Sequence, residues 1–243
     1  MNAFAARNTK EMLRDPLNLA FGLGFPLVVL FLLSAIQANV PVELFAIEQL
    51  APGIVVFGLS FVALFSGTLI AKDRSSSFLV RLLASPLSAS SFIGGYTLPL
   101  VPMALVQCAV CLAASVPLGL SLSPRLLILL LLMLPCCLLF IGIGLLCGSL
   151  LTDKQVGGVC GALLTNLSAW LSGTWFDLDL VGGWFKSAAY LLPFAHAVDM
   201  GRAALRGDYA AIWPHLAVVL CWAVAVLAAA IFAFHHKRRS DRL

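Results

Sequence analysis

The chain has 243 residues, 61% of them hydrophobic and 11% charged, with a formal net charge of +4. Soluble domains carry roughly 25% charged side chains, so this apolar excess, at a mean hydropathy of +1.03, needs more than a single protein core to bury it, and a bilayer fits. The same figures exclude intrinsic disorder, which requires low hydrophobicity, and 7 cysteines in this length are too few for a disulfide-built scaffold.

In chain order, the first segment is Met1 to Asn18. It places Arg7, Lys10 and Arg14 beside the apolar Phe4, Met12 and Leu13 and stops at Asp15-Pro16, where proline ends or redirects a helix. It reads as an interfacial helix leading into the membrane; a solvated basic tail that only sets orientation is the plainer alternative. A hydrocarbon core of about 30 Å needs roughly 20 apolar residues per helical span. Six stretches without Asp, Glu, Lys or Arg meet that length: 19–37, 52–71, 97–119, 126–150, 156–176 and 213–234. The expected fold is therefore an all-α membrane protein, residues 1–243 forming one transmembrane domain. The first apolar run has no small-x-small cleavage site at its end and is expected to be a span, not a removable signal.

The connection at 72–86 contains Lys72-Asp73-Arg74, three serines and then Phe78-Leu79-Val80-Arg81-Leu82-Leu83-Ala84-Ser85-Pro86. At 100° per residue Phe78, Leu79, Leu82 and Leu83 share one face while Arg74 and Arg81 lie off it, the pattern of a short amphipathic helix. The connection at 151–155 is so short that its flanking spans must be antiparallel neighbours. The segment 177–212 is the longest loop. From Pro193, a favourable first helical residue, Phe194, Val198 and Leu205 form an apolar stripe beside His196, Asp199, Arg202 and Arg206. Asp199 stands i,i+3 from Arg202, a pairing distance, and Gly207 is a natural helix stop. An outer amphipathic helix fits, either interfacial or re-entrant with 181–192.

Lys and Arg set the orientation. Arg7, Lys10, Arg14, Lys72, Arg74, Arg81, Lys154, Lys237, Arg238, Arg239 and Arg242 fall on the side of the termini, against Arg125, Lys186, Arg202 and Arg206 on the other. Both termini are expected in the cytoplasm, in a multi-pass protein of the cell's inner membrane. Trp175, Trp184, Tyr190 and Trp213 lie near outer span ends, where amphipathic rings anchor.

Chemistry is excluded at several points. No Gly-Lys dipeptide exists, hence no P-loop, and there is no H-E-x-x-H motif. His196, His215, His235 and His236 lie at or beyond span ends, so an embedded hydrolase lacks its base. The seven cysteines, including Cys108-x-x-Cys111, read as packing residues. The span interiors offer only neutral polar groups such as Gln107, Thr165, Asn166 and Ser168, whereas ion-coupled carriers place ionisable groups there. No enzyme activity, metal or cofactor is expected of this chain, nor a nucleic-acid partner. Gly144-x-x-x-Gly148 and Gly157-x-x-x-Gly161 put small residues on one helix face for close packing, either of the fourth span on the fifth or of one of them on a second subunit. Pro26, Pro102 and Pro135 mark kinks.

Several motifs in this order carry a resemblance: Arg14-Asp15-Pro16 and the interior Pro26; Asp73-Arg74 leading to Arg81-Leu82-Leu83-Ala84-Ser85-Pro86; and Leu192-Pro193-Phe194 with Asp199 and Arg202. Together they make the chain resemble, over nearly its whole length, the permease subunit of type 2 ATP-binding-cassette exporters, the bacterial class that includes drug-resistance and polysaccharide-export permeases. The resemblance implies half of a transmembrane dimer, of identical or related copies, bound to separate ATPase subunits that hold ATP and magnesium. It implies that 3–14 is a connecting helix on the inner leaflet and that about 75–84 is a coupling helix seated in the ATPase. The residues in contact there would be Arg74, Phe78, Leu79, Arg81, Leu82, Leu83 and Pro86. Outer helices within 181–207 would close the path, with Pro193, Phe194, Asp199 and Arg202 as the gate. Val80 and Ser77 depart from the family's acidic residue and glycine, which shifts polar contact with the ATPase toward Arg74 or Arg81. The implied function is export of an amphiphilic or lipophilic compound, a drug, antibiotic or toxic metabolite, with lipid-linked polysaccharide as the alternative cargo and an ion-coupled carrier as the rival class.

Overall fold

A computed structural model of the protein describes residues 2–40, 45–76 and 89–240. Among these residues the regular structure is entirely helical. Helix α1 spans Asn2–Leu13. Helix α2 is continuous from Pro16–Leu19 through a wider π turn at Ala20–Gly24 into Phe25–Gln37. Pro26 cannot donate an amide hydrogen and crowds the preceding turn, and π geometry is one way a helix absorbs such a defect. Helix α3 is Ile47–Ser75, α4 is Ala89–Ser115, and α5 is Pro124–Leu150. Helix α6 joins Asp153–Val156, a π stretch Gly157–Leu164 and Thr165–Leu171. Three shorter helices follow: α7 at Leu178–Val181, α8 at Gly183–Leu191 and α9 at Pro193–Arg206. Helix α10, Tyr209–Ser240, closes the chain.

Five helices are long and apolar enough to cross a bilayer: Ala20–Asn39, Ile47–Ser75, Ser91–Leu118, Pro124–Leu150 and Tyr209–His236. The stretch expected as a further span, 156–176, differs. Its helix α6 stops at Leu171, and the chain then turns through Gly173 at φ +71. Most of α6 before Thr165 is π-helical rather than α-helical. Glycines at 157, 158 and 161 lower the helix preference of this stretch and leave room for the wider turn. Helix α3 also runs further than the apolar count indicated, beginning at Ile47 and carrying Lys72, Asp73 and Arg74 as its last turn.

The core is organised around α3, which is buried along most of its length and packs against α2, α4, α5, α6 and α9. The tightest contact is with α5. A Cβ on Gly144 would lie 2.0 Å from the carbonyl oxygen of Ala63, and one on Gly148 2.3 Å from that of Gly67. The Gly144-x-x-x-Gly148 face thus meets the second span, neither the fifth span nor another subunit. Nothing in the described fold lies within 4 Å of a Cβ placed on Gly157, and Gly161 meets only the flexible end of Leu64. That second glycine pair does not bring two backbones together here. Cys108, Cys111, Cys136 and Cys137 are buried free thiols, in keeping with packing residues.

Candidate functional site: the root of the 76–88 connection and the Arg202 staple

The first site is built where α1, α3 and α4 meet. Helix α1 is more than a surface-lying tail, because its apolar side chains enter the protein. The Phe4 ring sits edge-on to Tyr96 with centroids 4.9 Å apart and stacks on Phe92 at 5.6 Å. A Cβ at position 95 would lie 2.3 Å from the Phe4 ring, so only glycine lets α1 seat on α4. Beside that contact the Asn8 amide donates to the Gly95 carbonyl at 3.1 Å. One turn along, Arg7 Nη1 donates to Asp73 Oδ2 at 2.5 Å, and the Tyr96 hydroxyl donates to the same oxygen at 2.6 Å. Asp73 is 4% exposed and Tyr96 fully buried. A buried carboxylate is tolerated only when paired and hydrogen-bonded; here a cation from α1 and a hydroxyl from α4 meet that need. Burial works against the Arg7 charge, but the hydrogen bond and charge of Asp73 outweigh it and hold the guanidinium pKa above its ordinary value.

The neighbouring residue binds elsewhere. Arg74 Nη1 donates to the carbonyl of Gly148 at 2.7 Å and to that of Leu151 at 3.1 Å. These are end carbonyls of α5, which have no intrahelical partner and lie at the negative end of its dipole. The turn they belong to is fixed by a reciprocal cap between Thr152 and Gln155 opening α6. Asp73 and Arg74 therefore tie the root of the 76–88 connection to α1 and α4 on one side and to α5 and α6 on the other. Of the residues assigned to ATPase contact, Arg74 is placed in this internal tie. Phe78, Leu79, Arg81, Leu82, Leu83 and Pro86 lie outside the described residues.

The second site is at the opposite end of α3, where the expected i,i+3 pair forms: Arg202 Nη1 reaches Asp199 Oδ1 at 3.4 Å. Arg202 does more than pair. Its Nη2 donates to the Gly173 carbonyl at 2.7 Å and its Nε to that of Gln49 at 3.2 Å. One guanidinium so staples α9 to the start of α3 and to the turn after α6. Burial lowers its pKa, with Asp199 opposing. Asp199 also accepts from the Tyr190 hydroxyl at 2.6 Å, and burial followed by that hydrogen bond raises the phenol's pKa. His196 faces His215 of α10 with Nδ1 atoms 2.8 Å apart, its other nitrogen 3.0 Å from the Tyr190 carbonyl. A polar cavity of about 430 Å3 opens here between Gln49, Asp177, Asp179, Tyr190, Asp199 and Arg202.

Pro193 opens α9 and Gly207 ends it at φ +80, both as the sequence indicates. Phe194 is buried 5.7 Å from the Phe140 ring, centroid to centroid. The buried set goes beyond the expected stripe to Ala195, Ala197, Met200, Gly201, Ala203 and Ala204. Small residues allow α9 to pack into the bundle against α3, α5 and α10, which separates it from a helix merely lying at an interface. Sequence reasoning missed Arg7, Asn8 and Tyr96 as a unit with Asp73. The available signal was a carboxylate at the end of one span and a tyrosine hydroxyl near the start of the next. Among the described residues no cluster of three or more His, Cys, Asp or Glu could hold a metal ion.

A bundle with five helices long and apolar enough to cross a bilayer is the construction of a multi-pass membrane protein. The chain matches the ABC-2 type transporter family over residues 1–205, and it belongs to that family. It is 28% identical to ABC transporter G family member 20 of Dictyostelium discoideum over 208 residues, 81% of this chain and 28% of that protein. It is 34% identical over 125 residues to a putative transport permease ycf38 of Porphyra purpurea, covering 49% of this chain and 43% of the relative. The chain thus spans less than half the length of each of these relatives. Neither relative's name carries the drug or polysaccharide assignment that the resemblance implies. No solved structure matches.

Proposed function

We propose that this chain is the permease subunit of an ATP-driven exporter, moving an amphiphilic or lipophilic compound out of the cell with energy from a separate ATPase subunit. The observation that carries the reading is the Asp73–Arg74 tie. A loop that receives mechanical work from a partner has to be anchored stiffly to the helices it is to move, and this loop's root is fixed by charged hydrogen bonds to α1, α4 and α5. The ATPase seats on about 75–84, with Phe78, Leu79, Leu82 and Leu83 as its apolar contacts and Arg81 as a polar one. The staple around Arg202 is the outer gate, and Pro193 and Phe194 seat its helix.

Membership in the ABC-2 type transporter family supports an ATPase partner. Helices α2 and α10 are mostly uncovered, 17% buried in their apolar windows, which leaves apolar faces for lipid and for the second permease copy. Six crossings with both termini in the cytoplasm, in the inner membrane, follow if α6 and the outer helices complete one passage. An apolar cargo suits the aromatic step formed by Phe25, Phe57, Phe61 and Trp175 between α2, α3 and the turn after α6. Phe57 lies 5.3 Å from Trp175 and 5.6 Å from Phe61. Lipid-linked polysaccharide draws on the same rings and is the second cargo.

The test is reconstitution with the cognate ATPase. ATP-dependent movement of a lipophilic probe, lost together with ATPase co-purification in a Phe78→Asp, Leu82→Asp double variant, is expected. Transport that persists without the ATPase and collapses with an ion gradient would point to a carrier instead.

A further inference from the structure

At the hinge between α1 and α2 the protein leaves a recess of about 210 Å3 against the Arg74 end of α3. Glu11, Arg14, Asp15 and Lys72 line it together with Pro16, Thr68, the half-buried Leu69 and the buried Phe65. Phe65, Leu69 and Lys72 follow one another at i, i+4 and i+7 on α3, which places them in line along one face. The charged groups therefore adjoin an apolar side chain, Leu69, on the same face of α3. Lys72 Nζ stands 3.7 Å from Asp15 Oδ2, the lysine mostly exposed and the aspartate half-buried, a surface pair worth at most about 1 kcal/mol. Arg14 makes no side-chain hydrogen bond or ion pair among the described residues. Two carboxylates and two cations leave the recess neutral. Asp15-Pro16 is where the chain turns from α1 into α2, so the recess sits at the depth where a span meets lipid headgroups.

We propose that this recess holds the headgroup of one resident glycerophospholipid with an amine on its headgroup. Its phosphate lies between Arg14 and Lys72, its ammonium toward Glu11 and Asp15, and an acyl chain starts against the half-buried Leu69. A guanidinium is the preferred partner of a phosphate, which it can engage with two parallel hydrogen bonds. Opposite charges in equal number select a zwitterion over an anionic headgroup, because an anion would leave the carboxylates facing it. The adjoining apolar Leu69 makes a free phosphate the poorer ligand. Glu11 also faces Arg7 at 3.5 Å, so the lipid would steady the same α1 that holds Asp73. Only the assignment to the inner leaflet rests on the proposed topology; the binding chemistry does not depend on export.

The full chain would be reconstituted in vesicles of a neutral galactolipid containing phosphatidylethanolamine with a photoreactive acyl chain, and labelled peptides mapped after irradiation. Labelling of the segment containing Phe65 and Leu69 should exceed that of the exposed face of α10 at least fivefold. Unlabelled phosphatidylethanolamine should compete, and phosphatidylglycerol should do so several-fold less well. The Arg14→Gln, Lys72→Gln double variant should lose at least fivefold at this segment while α10 labelling and melting temperature stay constant. Uniform labelling of all helices overturns the site. Equal competition by phosphatidylglycerol overturns the zwitterion, and competition by inorganic phosphate overturns the lipid. Loss of labelling at this segment when ATP is turned over in the complete complex before irradiation shows cargo and overturns residence. Specific labelling in a chain that binds no ATPase sustains this inference while the export reading falls. If the double variant does not fold, the competition series on the native chain still decides.

Discussion

Asp73 and Arg74 are consecutive residues that bind different halves of the bundle: Asp73 takes Arg7 of α1 and Tyr96 of α4, while Arg74 takes the Gly148 and Leu151 carbonyls at the end of α5. Helical geometry separates adjacent side chains by about 100°, so a two-residue sequence at the end of a helix can face two neighbours at once. A displacement of the following loop is thereby shared among α1, α3, α4 and α5 instead of being taken up by one flexible joint. That is a mechanical property of the node, independent of which cargo crosses.

The asymmetry of the node gives a first prediction. Removing the cation in Arg7→Ala leaves a buried carboxylate with only Tyr96 as donor, whereas Asp73→Asn keeps an acceptor for both partners. Stranding a buried charge costs about 3 kcal/mol or more, and the half-exposed Arg7 lowers that to about 2. Arg7→Ala should therefore lower the melting temperature in detergent more than Asp73→Asn does. Both should reduce ATP-driven transport while the ATPase still co-purifies. Equal stability of the two variants would mean that Asp73 is not held as an anion by Arg7.

Helix packing supplies the second. Alanine at Gly144 would put a methyl group 1.9 Å from Ser66 Oγ and 2.0 Å from the Ala63 carbonyl, and the carbonyl cannot move aside without shifting α3. Overpacking of this kind costs about 1–3 kcal/mol. At Gly157 the space is open, and alanine should be neutral or gain up to about 1 kcal/mol in helix preference. Comparing Gly144→Ala with Gly157→Ala in unfolding titrations checks both the α3–α5 contact and the absence of one at Gly157. A reversed order would show that the second glycine pair carries the packing.

The contrast between those glycines shows where the sequence was informative. Span positions, Pro193 as a helix start, Gly207 as its stop and the Asp199–Arg202 pair were legible because each depends on residues within a turn or on a run of composition. The partner of Gly144 was not, since a small-residue face states that something approaches closely and not which helix does. Arg7 and Asp73 lie 66 residues apart, and nothing local in either marks the other. The end of α6 was also hidden: 156–176 reads as one apolar run, but its glycines permit a π turn and Gly173 a positive φ, and hydropathy sees neither.

Arg202 gives a third prediction. Its three ties run to Gly173, Gln49 and Asp199 in three directions from one planar group. Lysine keeps the charge but supplies a single compact head that cannot span them. Arg202→Lys should therefore resemble Arg202→Ala in transport, with a severalfold loss in each, and ATPase co-purification should be unchanged. Full transport in Arg202→Lys would reduce the residue to a charge partner of Asp199. Full transport in Arg202→Glu would remove it from the gate altogether.

The last prediction concerns pH at the same site. Tyr190 donates to Asp199 at 2.6 Å, and burial with that hydrogen bond raises its pKa above the ordinary phenol value of about 10. A group whose folded pKa is raised favours folding in its protonated form, so its contribution is complete below pH of about 10 and declines as pH rises from there toward the folded pKa. The sign is opposite to that of a paired carboxylate, whose contribution fails on acidification. In melting curves in detergent between pH 8 and 11, the difference between the native chain and Tyr190→Phe should be constant to about pH 10 and then shrink. Tyr190→Phe should melt lower throughout the constant range, by the loss of one hydrogen bond to a charged group, about 1.5–3 kcal/mol, and should lose this residue's share of the alkaline slope. Because Tyr190 also holds Asp199 for Arg202, the variant should lower transport with no change in ATPase co-purification. An alkaline slope identical in the two proteins would show that Tyr190 does not titrate differently on folding, and its hydrogen bond to Asp199 would then carry neither stability nor the gate.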